Sequence, residues 1–234
     1  MKKLLYGIIL STLFVALAHA QETCQLPSSI PKPSLQGVDC KNIRTPDYYA
    51  FALSWSPQHC ATHQGASHKF QCQDNQFGLV VHGLWGQENN GRGKCGHPRN
   101  CRKSLVDEET IRETLCIVPG VKLIQGEWQK HGTCTSFKTP REYFGKIREL
   151  WGQLTKPDIR RLANEKGNAL TAGDVATAFV QANAAQRLSE QSVVIRVGSG
   201  NFFSELLVCY DLNFHPTACR VGRTPSMQKI RVTQ

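Results

Sequence analysis

A run of β-forming residues, Phe77-Gly78-Leu79-Val80-Val81-His82-Gly83-Leu84-Trp85, lies in the first half of the chain. The pattern predicts a strand with one histidine, His82, close to its end. Glycine has no Cβ atom, so Gly83 and Gly86 permit backbone or ligand to come close beside that histidine. Taken alone, His82 is more often a structural residue than a catalytic one, and Trp85 is more often a core residue than a stacking surface.

A second segment, Gly126-Glu127-Trp128-Gln129-Lys130-His131-Gly132-Thr133-Cys134, concentrates reactive side chains. The segment has a helical period. In a helix, Glu127, Lys130, His131 and Cys134 occupy positions i, i+3, i+4 and i+7 and share one face. A carboxylate, an ammonium group and an imidazole then lie side by side. The alternative is a solvated surface helix with an incidental Glu–Lys pair, and the segment alone does not decide between them.

Helices and strands are intermixed along the rest of the chain, and long loops separate the strands, so we expect an α+β fold. Strands are predicted at 48–55, 193–197 and 205–212, and helices at 107–115, 140–154, 157–162 and 172–185. No repeat or linker divides the sequence, which predicts a single domain over residues 21–234.

The chain has 234 residues, of which 40% are hydrophobic and 20% charged, and this balance excludes wholesale disorder. A formal net charge of +10 indicates a polyanionic partner or surface. The basic loop at 92–103 and the basic tail after Cys219 either extend a binding track for such a partner or form a solvated face. The alternative of a cationic, toxin-like surface protein shares this charge.

The first twenty residues predict a cleaved signal peptide. Lys2 and Lys3 precede an apolar stretch at 4–17, and Ala18-His19-Ala20 provides small residues at a cleavage site. About 14 apolar residues are few for a membrane span, which disfavours an uncleaved anchor. We therefore expect a periplasmic or secreted protein with no membrane segment after cleavage.

Ten cysteines in an oxidising compartment predict up to five disulfides. Zinc binding is disfavoured because the sequence contains no Cys-x-x-Cys pair. Cys209 and Cys219 flank a predicted turn and form the most plausible bridge. Two further local bridges are expected, Cys24–Cys40 and Cys60–Cys72. The other four cysteines are then expected to pair among themselves: Cys95, Cys101, Cys116 and Cys134.

Two histidines, a lysine and a glutamate on a basic protein without a metal motif suit cleavage of an RNA phosphodiester. The ribose 2′-OH is the nucleophile, so the protein supplies only an acid and a base, and imidazole serves both roles near neutral pH. A lysine stabilises the charge that develops on the phosphate, and aromatic side chains stack the bases of single-stranded RNA.

The two segments resemble the active-site segments of the ribonuclease T2 family, and Phe51-Ala52-Leu53-Ser54-Trp55-Ser56-Pro57 resembles its first core strand. The resemblance implies a disulfide-stabilised central antiparallel sheet flanked by helices. It also implies a monomeric endoribonuclease that needs no metal or other cofactor. Such an enzyme cleaves single-stranded RNA to a 2′,3′-cyclic phosphate and then to a 3′-phosphate, with low base specificity.

The same resemblance implies the role of each residue. His82 is then the general acid, His131 the general base, and Glu127 and Lys130 stabilise the transition state. Trp85 stacks on a base, and Gln87 occupies a position at which the family often contacts a base.

Three positions depart from the family pattern: Gly86 replaces a proline, Gln87 an aspartate, and Gly126 a histidine that assists phosphate binding. Base preference therefore does not transfer. A non-catalytic binding protein on the same scaffold is the rival hypothesis. Of the other histidines, His59, His63 and His68 are expected in a polar loop, and His97 and His215 at the surface.

Overall fold

The predicted signal peptide lies outside the part of the chain that the computed structural model describes, which is residues 24–93 and 95–234. Within that part, four antiparallel strands form one sheet in the order β2-β1-β4-β3. Their bounds are β1 Tyr48–Trp55, β2 Leu79–Gln87, β3 Val193–Val197 and β4 Phe203–Tyr210.

The predicted bounds of β1 and β3 are confirmed, and β2 and β4 are displaced by about two residues. The second strand extends past Trp85 because Gly86 and Gln87 continue to pair with β1. The last strand ends at Tyr210 because the side chain of Asp211 accepts hydrogen bonds from the backbone of Asn213 and His215, which turns the chain.

Helices flank this sheet, so the predicted α+β class with a central antiparallel sheet is confirmed. Their bounds are α1 Ser56–Thr62, α2 Lys69–Cys72, α3 Glu108–Thr114, α4 Val121–Lys130, α5 Pro140–Gln153, α6 Ile159–Lys166 and α7 Ala172–Ala182. The strong periodicity of α5 has a physical cause: Thr139 caps its first turn, and Tyr143, Phe144, Ile147 and Leu150 are buried.

The two faces of the sheet differ in the size of their side chains. On β1, Tyr49, Phe51 and Leu53 point into the main core beneath the helices. The alternate residues Ala50 and Ala52 are small and lie on the opposite, outer face. Small side chains in the central strand leave room above the sheet, and the candidate site occupies that room.

All ten cysteines lie in the described part of the chain and form five disulfides. The predicted pairs Cys209–Cys219 and Cys60–Cys72 are confirmed. The predicted pair Cys24–Cys40 is wrong, and so is the prediction that Cys95, Cys101, Cys116 and Cys134 pair only among themselves. The observed pairs are Cys24–Cys116, Cys40–Cys95 and Cys101–Cys134.

The N-terminal segment explains the error. Residues 24–45 contain no helix or strand that would fold the segment back on itself. The segment runs across the molecule instead, where the backbone of Gln36 exchanges hydrogen bonds with the side chain of Gln129 on α4. Its two cysteines therefore meet partners far along the chain.

In the described residues, no helix has the length and apolar character needed to cross a membrane.

Loop length predicts which disulfide contributes most to stability. Cys24–Cys116 closes a loop with a sequence separation of 92, and Cys60–Cys72 one of 12. Replacing both cysteines of a pair by alanine should lower the free energy of unfolding by about 5 kcal/mol for the long loop and about 3 kcal/mol for the short one. Urea unfolding followed by circular dichroism measures both losses, and equal losses would contradict the loop-length argument.

Candidate active site

His82 lies at a β-bulge in β2. Ala52 pairs with Gly83 and Leu53 with Val81, so His82 is the extra residue between two paired positions. Val81 and Leu84 both face the main core, although they are three residues apart. The bulge therefore breaks the alternation and places His82 and Trp85 together on the outer face.

Two carboxylates hold the His82 ring. Its Nδ1 atom lies 3.0 Å from Oε1 of Glu205 on β4, and its Nε2 atom lies 3.7 Å from Oε1 of Glu127 on α4. The other oxygen of Glu205 accepts from Arg196 on β3 at 3.1 Å. Burial opposes the charged imidazolium, but the hydrogen bond that Nδ1 donates to Glu205 and the charge of Glu127 outweigh it, so the pKa of His82 is raised above 6.5.

Helix α4 differs from the prediction for residues 127–134. It begins at Val121 and ends at Lys130, and Gly132–Cys134 form a 3₁₀ turn. Glu127, Lys130 and His131 still line one cavity. Cys134 does not continue their helical face, because the turn aims it at Cys101. Close packing explains the glycine here, since a Cβ atom on Gly132 would collide with the ring of Trp128.

The side chain of Glu127 is held by a hydrogen bond from Trp85 and occupies space that the absence of a Cβ atom at Gly83 leaves free. The indole Nε1 of Trp85 donates to Oε2 of Glu127 at 2.7 Å. A Cβ atom at position 83 would overlap that same carboxylate oxygen, so only glycine fits there. Burial raises the pKa of Glu127, and the charge of His82 and the bond from Trp85 oppose this rise.

His131 also lies close to the Trp85 ring. The Trp85 ring centroid is 5.0 Å from that of His82 and 5.6 Å from that of His131. Burial, with the positive charges of Lys130 and Arg99 nearby, lowers the pKa of His131 well below 6.5. Among the described residues its Nδ1 atom has no hydrogen-bond partner. The two histidines thus occupy environments that favour opposite protonation states.

The cavity between these groups measures about 470 Å³, and the charged residues in its lining are mostly basic. Gln87, predicted as a binding residue, lines it and is itself buried. His97, expected at the surface, is partly buried and lines the same cavity, where its Nδ1 accepts a hydrogen bond from the backbone N–H of Glu88. The cationic side chains around the cavity are those of Arg99, Lys130, Arg196 and Arg220.

Gly126 lies beneath the N-terminal segment. A Cβ atom there would come within 3.0 Å of the side-chain amide of Gln36, which donates to the carbonyl oxygen of Lys122. The histidine that the family often carries at this position would require the side-chain amide of Gln36 to shift. The departure from the family pattern is therefore coupled to the way this segment packs.

His59, His63 and His68 were predicted in a polar loop, but their rings contact one another, and His59 lies in a helix. His59 belongs to α1, stacks on His63 with ring centroids 4.4 Å apart, and contacts His68 through ring nitrogens 3.0 Å apart. Burial lowers the pKa of His59 to about 4. In the described residues, no group of three or more His, Cys, Asp or Glu side chains is arranged to hold a metal ion.

Glu205 and Arg196 are site residues that the sequence did not predict. The predicted strand at 205–212 begins with Glu205, and a carboxylate followed by the apolar run Leu206-Leu207-Val208 is a signal of a polar contact. The partner could not be identified, because Glu205 and His82 are 123 residues apart and meet only when β1 pairs with both β2 and β4.

The family model of the Ribonuclease T2 family matches residues 46–219. The chain belongs to the ribonuclease T2 family. It is 40% identical over 136 residues to a probable ribonuclease of Haemophilus influenzae, which covers 53% of this chain and 50% of that protein. It is 42% identical over 89 residues to a ribonuclease of Aeromonas hydrophila, which covers 38% of each. The chain thus spans half or less of the length of these two relatives.

Solved structures share the ribonuclease T2 fold. The chain resembles an RNase-related protein from Calystegia sepium with a TM-score of 0.60 at 20% identity, over 82% of this chain and all of that one. It resembles RNase NT, solved in complex with 5′-AMP, with a TM-score of 0.59 at 20% identity, over 81% and 98% of the two chains. At this identity the likeness shows the fold alone.

Nuclear magnetic resonance tests the asymmetry of the two histidines. We expect His82 to titrate above 6.5 and His131 well below it, because carboxylates surround the first ring while burial and cations surround the second. Titration of ¹⁵N-labelled rings, assigned with His82→Ala and His131→Ala, measures both values. A reversed order would show that the environments have been misassigned.

Proposed function

We propose that this member of the ribonuclease T2 family is a metal-independent endoribonuclease that cleaves single-stranded RNA through a 2′,3′-cyclic phosphate. One observation carries the proposal: two imidazoles lie close to Trp85 in one cavity, and their environments shift their pKa values in opposite directions. Such a divergence is how a site assigns one group as acid and the other as base.

In the first step His131 is the base. Its lowered pKa keeps the ring neutral, so Nε2 accepts the proton of the ribose 2′-OH. The 2′-oxygen attacks the phosphorus, and the bond from phosphorus to the 5′-oxygen of the next nucleotide breaks. His82, protonated because its pKa is raised, gives its proton to that 5′-oxygen. The products are a 2′,3′-cyclic phosphate and a free 5′-hydroxyl.

In the second step the two histidines exchange roles. His82, now neutral, removes a proton from water, and the resulting hydroxide attacks the cyclic phosphate. The bond to the 2′-oxygen breaks, and His131 returns its proton to that oxygen. A 3′-phosphate is formed, and both rings recover their starting protonation states.

Lys130 supplies positive charge to the phosphate. Among the described residues its side chain forms no ion pair, and it lines the cavity beside both histidines. An ammonium group so placed stabilises the extra negative charge of the pentacoordinate transition state. Glu127 contributes through two contacts, since it fixes Trp85 and attracts the proton on His82.

Glu205 acts as a positioning residue for His82. Because Nδ1 donates to Glu205, the proton that His82 transfers is the one on Nε2, which faces the cavity. Arg196 holds the second oxygen of Glu205, so the carboxylate and the ring keep one orientation.

Base recognition rests on Trp85 and Gln87. The indole ring stacks on the base that precedes the scissile phosphate, and stacking suits every base, which supports low base specificity. Gln87 adds a weak polar contact at most, because its amide donates to the carbonyl oxygen of Gly86.

The proposal includes an exported, monomeric enzyme. Five disulfides are typical of an oxidising compartment such as the periplasm or the exterior of the cell. One chain provides all the candidate acid, base and phosphate-binding groups.

RNA cleavage in EDTA tests the reaction. The protein, incubated with single-stranded RNA near pH 6, should yield fragments that end in 2′,3′-cyclic phosphate and later in 3′-phosphate, resolved by mass spectrometry. His131→Ala and His82→Ala should each lower kcat about 10²- to 10⁴-fold, because each removes a proton-transfer group. His215→Ala is the matched control. Intact RNA from folded protein would favour the non-catalytic binding protein.

The pH profile of Glu205→Gln tests the positioning role. Glutamine keeps an acceptor for Nδ1 but removes the negative charge that holds a proton on His82. Activity is lost at high pH when His82 deprotonates, so this limb should move down by about one pH unit. The acidic limb, set by protonation of His131, should stay. Glu165→Gln removes an equal charge from exposed α6 and should leave both limbs in place.

A further inference from the structure

We propose that Arg220 binds the RNA phosphate that lies one nucleotide to the 5′ side of the scissile phosphate. The preferred substrate is then a chain with at least two consecutive phosphates rather than a dinucleoside monophosphate. This inference rests on the proposed ribonuclease function and extends it to a second phosphate position in the same cavity.

The backbone around Arg220 is fixed at both ends. Cys219 is bonded to Cys209 on β4, and its backbone N–H donates to the carbonyl oxygen of Gln191 at 2.9 Å. Five residues on, the backbone N–H of Thr224 donates to the carbonyl oxygen of Ile195 on β3 at 3.0 Å. The segment between these anchors borders the catalytic cavity, so Arg220 is held at its rim rather than carried by a loose tail.

The charge of Arg220 is available to an anion. Among the described residues its guanidinium forms no ion pair, whereas Arg196 pairs with Glu205 and Arg99 pairs with Asp39. The carboxylate that lines the cavity, Glu127, already faces His82. A phosphate entering the rim therefore meets an exposed arginine whose charge no carboxylate neutralises.

The positions of the base-binding residues give the direction of the RNA. Gln87 ends β2 and pairs across the sheet with Tyr48. The hydroxyl of Tyr48 lies close enough to Arg220 for the guanidinium charge to oppose the rise in its pKa that burial causes. Along the outer face of β2 the order is thus His82, Trp85 and Gln87, and Arg220 lies at the Gln87 end. A nucleoside stacked on Trp85 precedes the scissile phosphate, so its own 5′-phosphate points toward Arg220.

The geometry also explains an endonucleolytic preference. Within a polymer every internal nucleotide carries a 5′-phosphate, whereas a first nucleotide with a free 5′-hydroxyl does not. Cleavage after an internal nucleotide would gain the contact with Arg220, and cleavage after such a terminal nucleotide would forgo it.

Three short substrates test the inference: a dinucleoside monophosphate, the same molecule with a 5′-phosphate, and the same molecule with a 3′-phosphate. For the unsubstituted protein, kcat/KM should be about tenfold higher with the 5′-phosphate than with the other two, the effect expected of one charge-assisted hydrogen bond. Arg220→Ala should abolish this advantage, so that the variant cleaves all three substrates with the same kcat/KM. Arg220→Lys should retain part of it.

Arg223→Ala is the matched control. It removes the same charge from the same segment, but the guanidinium of Arg223 donates to the carbonyl oxygens of Glu190 and Gln191. It should preserve the 5′-phosphate advantage. Circular dichroism verifies that each variant is folded.

The outcomes separate the two proposals. No cleavage of any substrate or of long RNA by the unsubstituted protein would overturn the ribonuclease function itself. Cleavage of all three substrates with equal kcat/KM, an advantage for the 3′-phosphate, or equal losses in Arg220→Ala and Arg223→Ala would overturn only the assignment of Arg220.

Discussion

The bulge at His82 is the constraint on which the site depends. A regular strand would place His82 and Trp85 on opposite faces of the sheet, because side chains three residues apart alternate. The extra residue in β2 brings both to the outer face, where the small side chain of Ala52 leaves space. Gly83 then has to be glycine, since the carboxylate of Glu127 occupies the space of its Cβ atom. The bulge in β2 and the position of helix α4 therefore depend on each other, because Glu127 of α4 packs against Gly83 next to the bulge.

Burial lowers the pKa of both histidines, but their charged neighbours differ, so the net shifts are opposite. His82 is desolvated, but two carboxylates compensate for the cost of its charge. His131 is desolvated and lies near the cations Lys130 and Arg99, so both effects disfavour its protonated form. The end of α4 at Lys130 contributes, because His131 and Lys130 stay adjacent while the chain turns into the Gly132–Cys134 segment. A single cavity thus holds two histidines whose environments favour opposite protonation states.

Much of this architecture could be predicted from local patterns. Alternation predicted β1 and β3, the period of α5 predicted its buried face, and the two segments around His82 and His131 indicated the family and supplied residues of the candidate site. Features that depend on distant partners could not be predicted. The strand pattern of β2 contains no sign of a bulge, and α4 begins before the reactive residues because Val121 and Ile124 pack inward.

Disulfides and polar contacts show the same limit. Sequence proximity favoured a bridge from Cys24 to Cys40, whereas the extended N-terminal segment takes both to remote partners. Glu205 and His97 gained their places in the site from pairing between strands and from a loop contact. These belong to tertiary structure, and no periodicity encodes them.

The N-terminal segment has a consequence for where this domain can be cut. The family match covers residues 46–219, yet Cys24 and Cys40 precede it and bind Cys116 and Cys95 inside it. At the other end, the indole of Trp55 donates to the carbonyl oxygen of Thr233. A chain trimmed to the matched residues would contain two orphan thiols, free to join the wrong partners during oxidation. The cooperative folding unit is thus larger than the region by which the family is recognised.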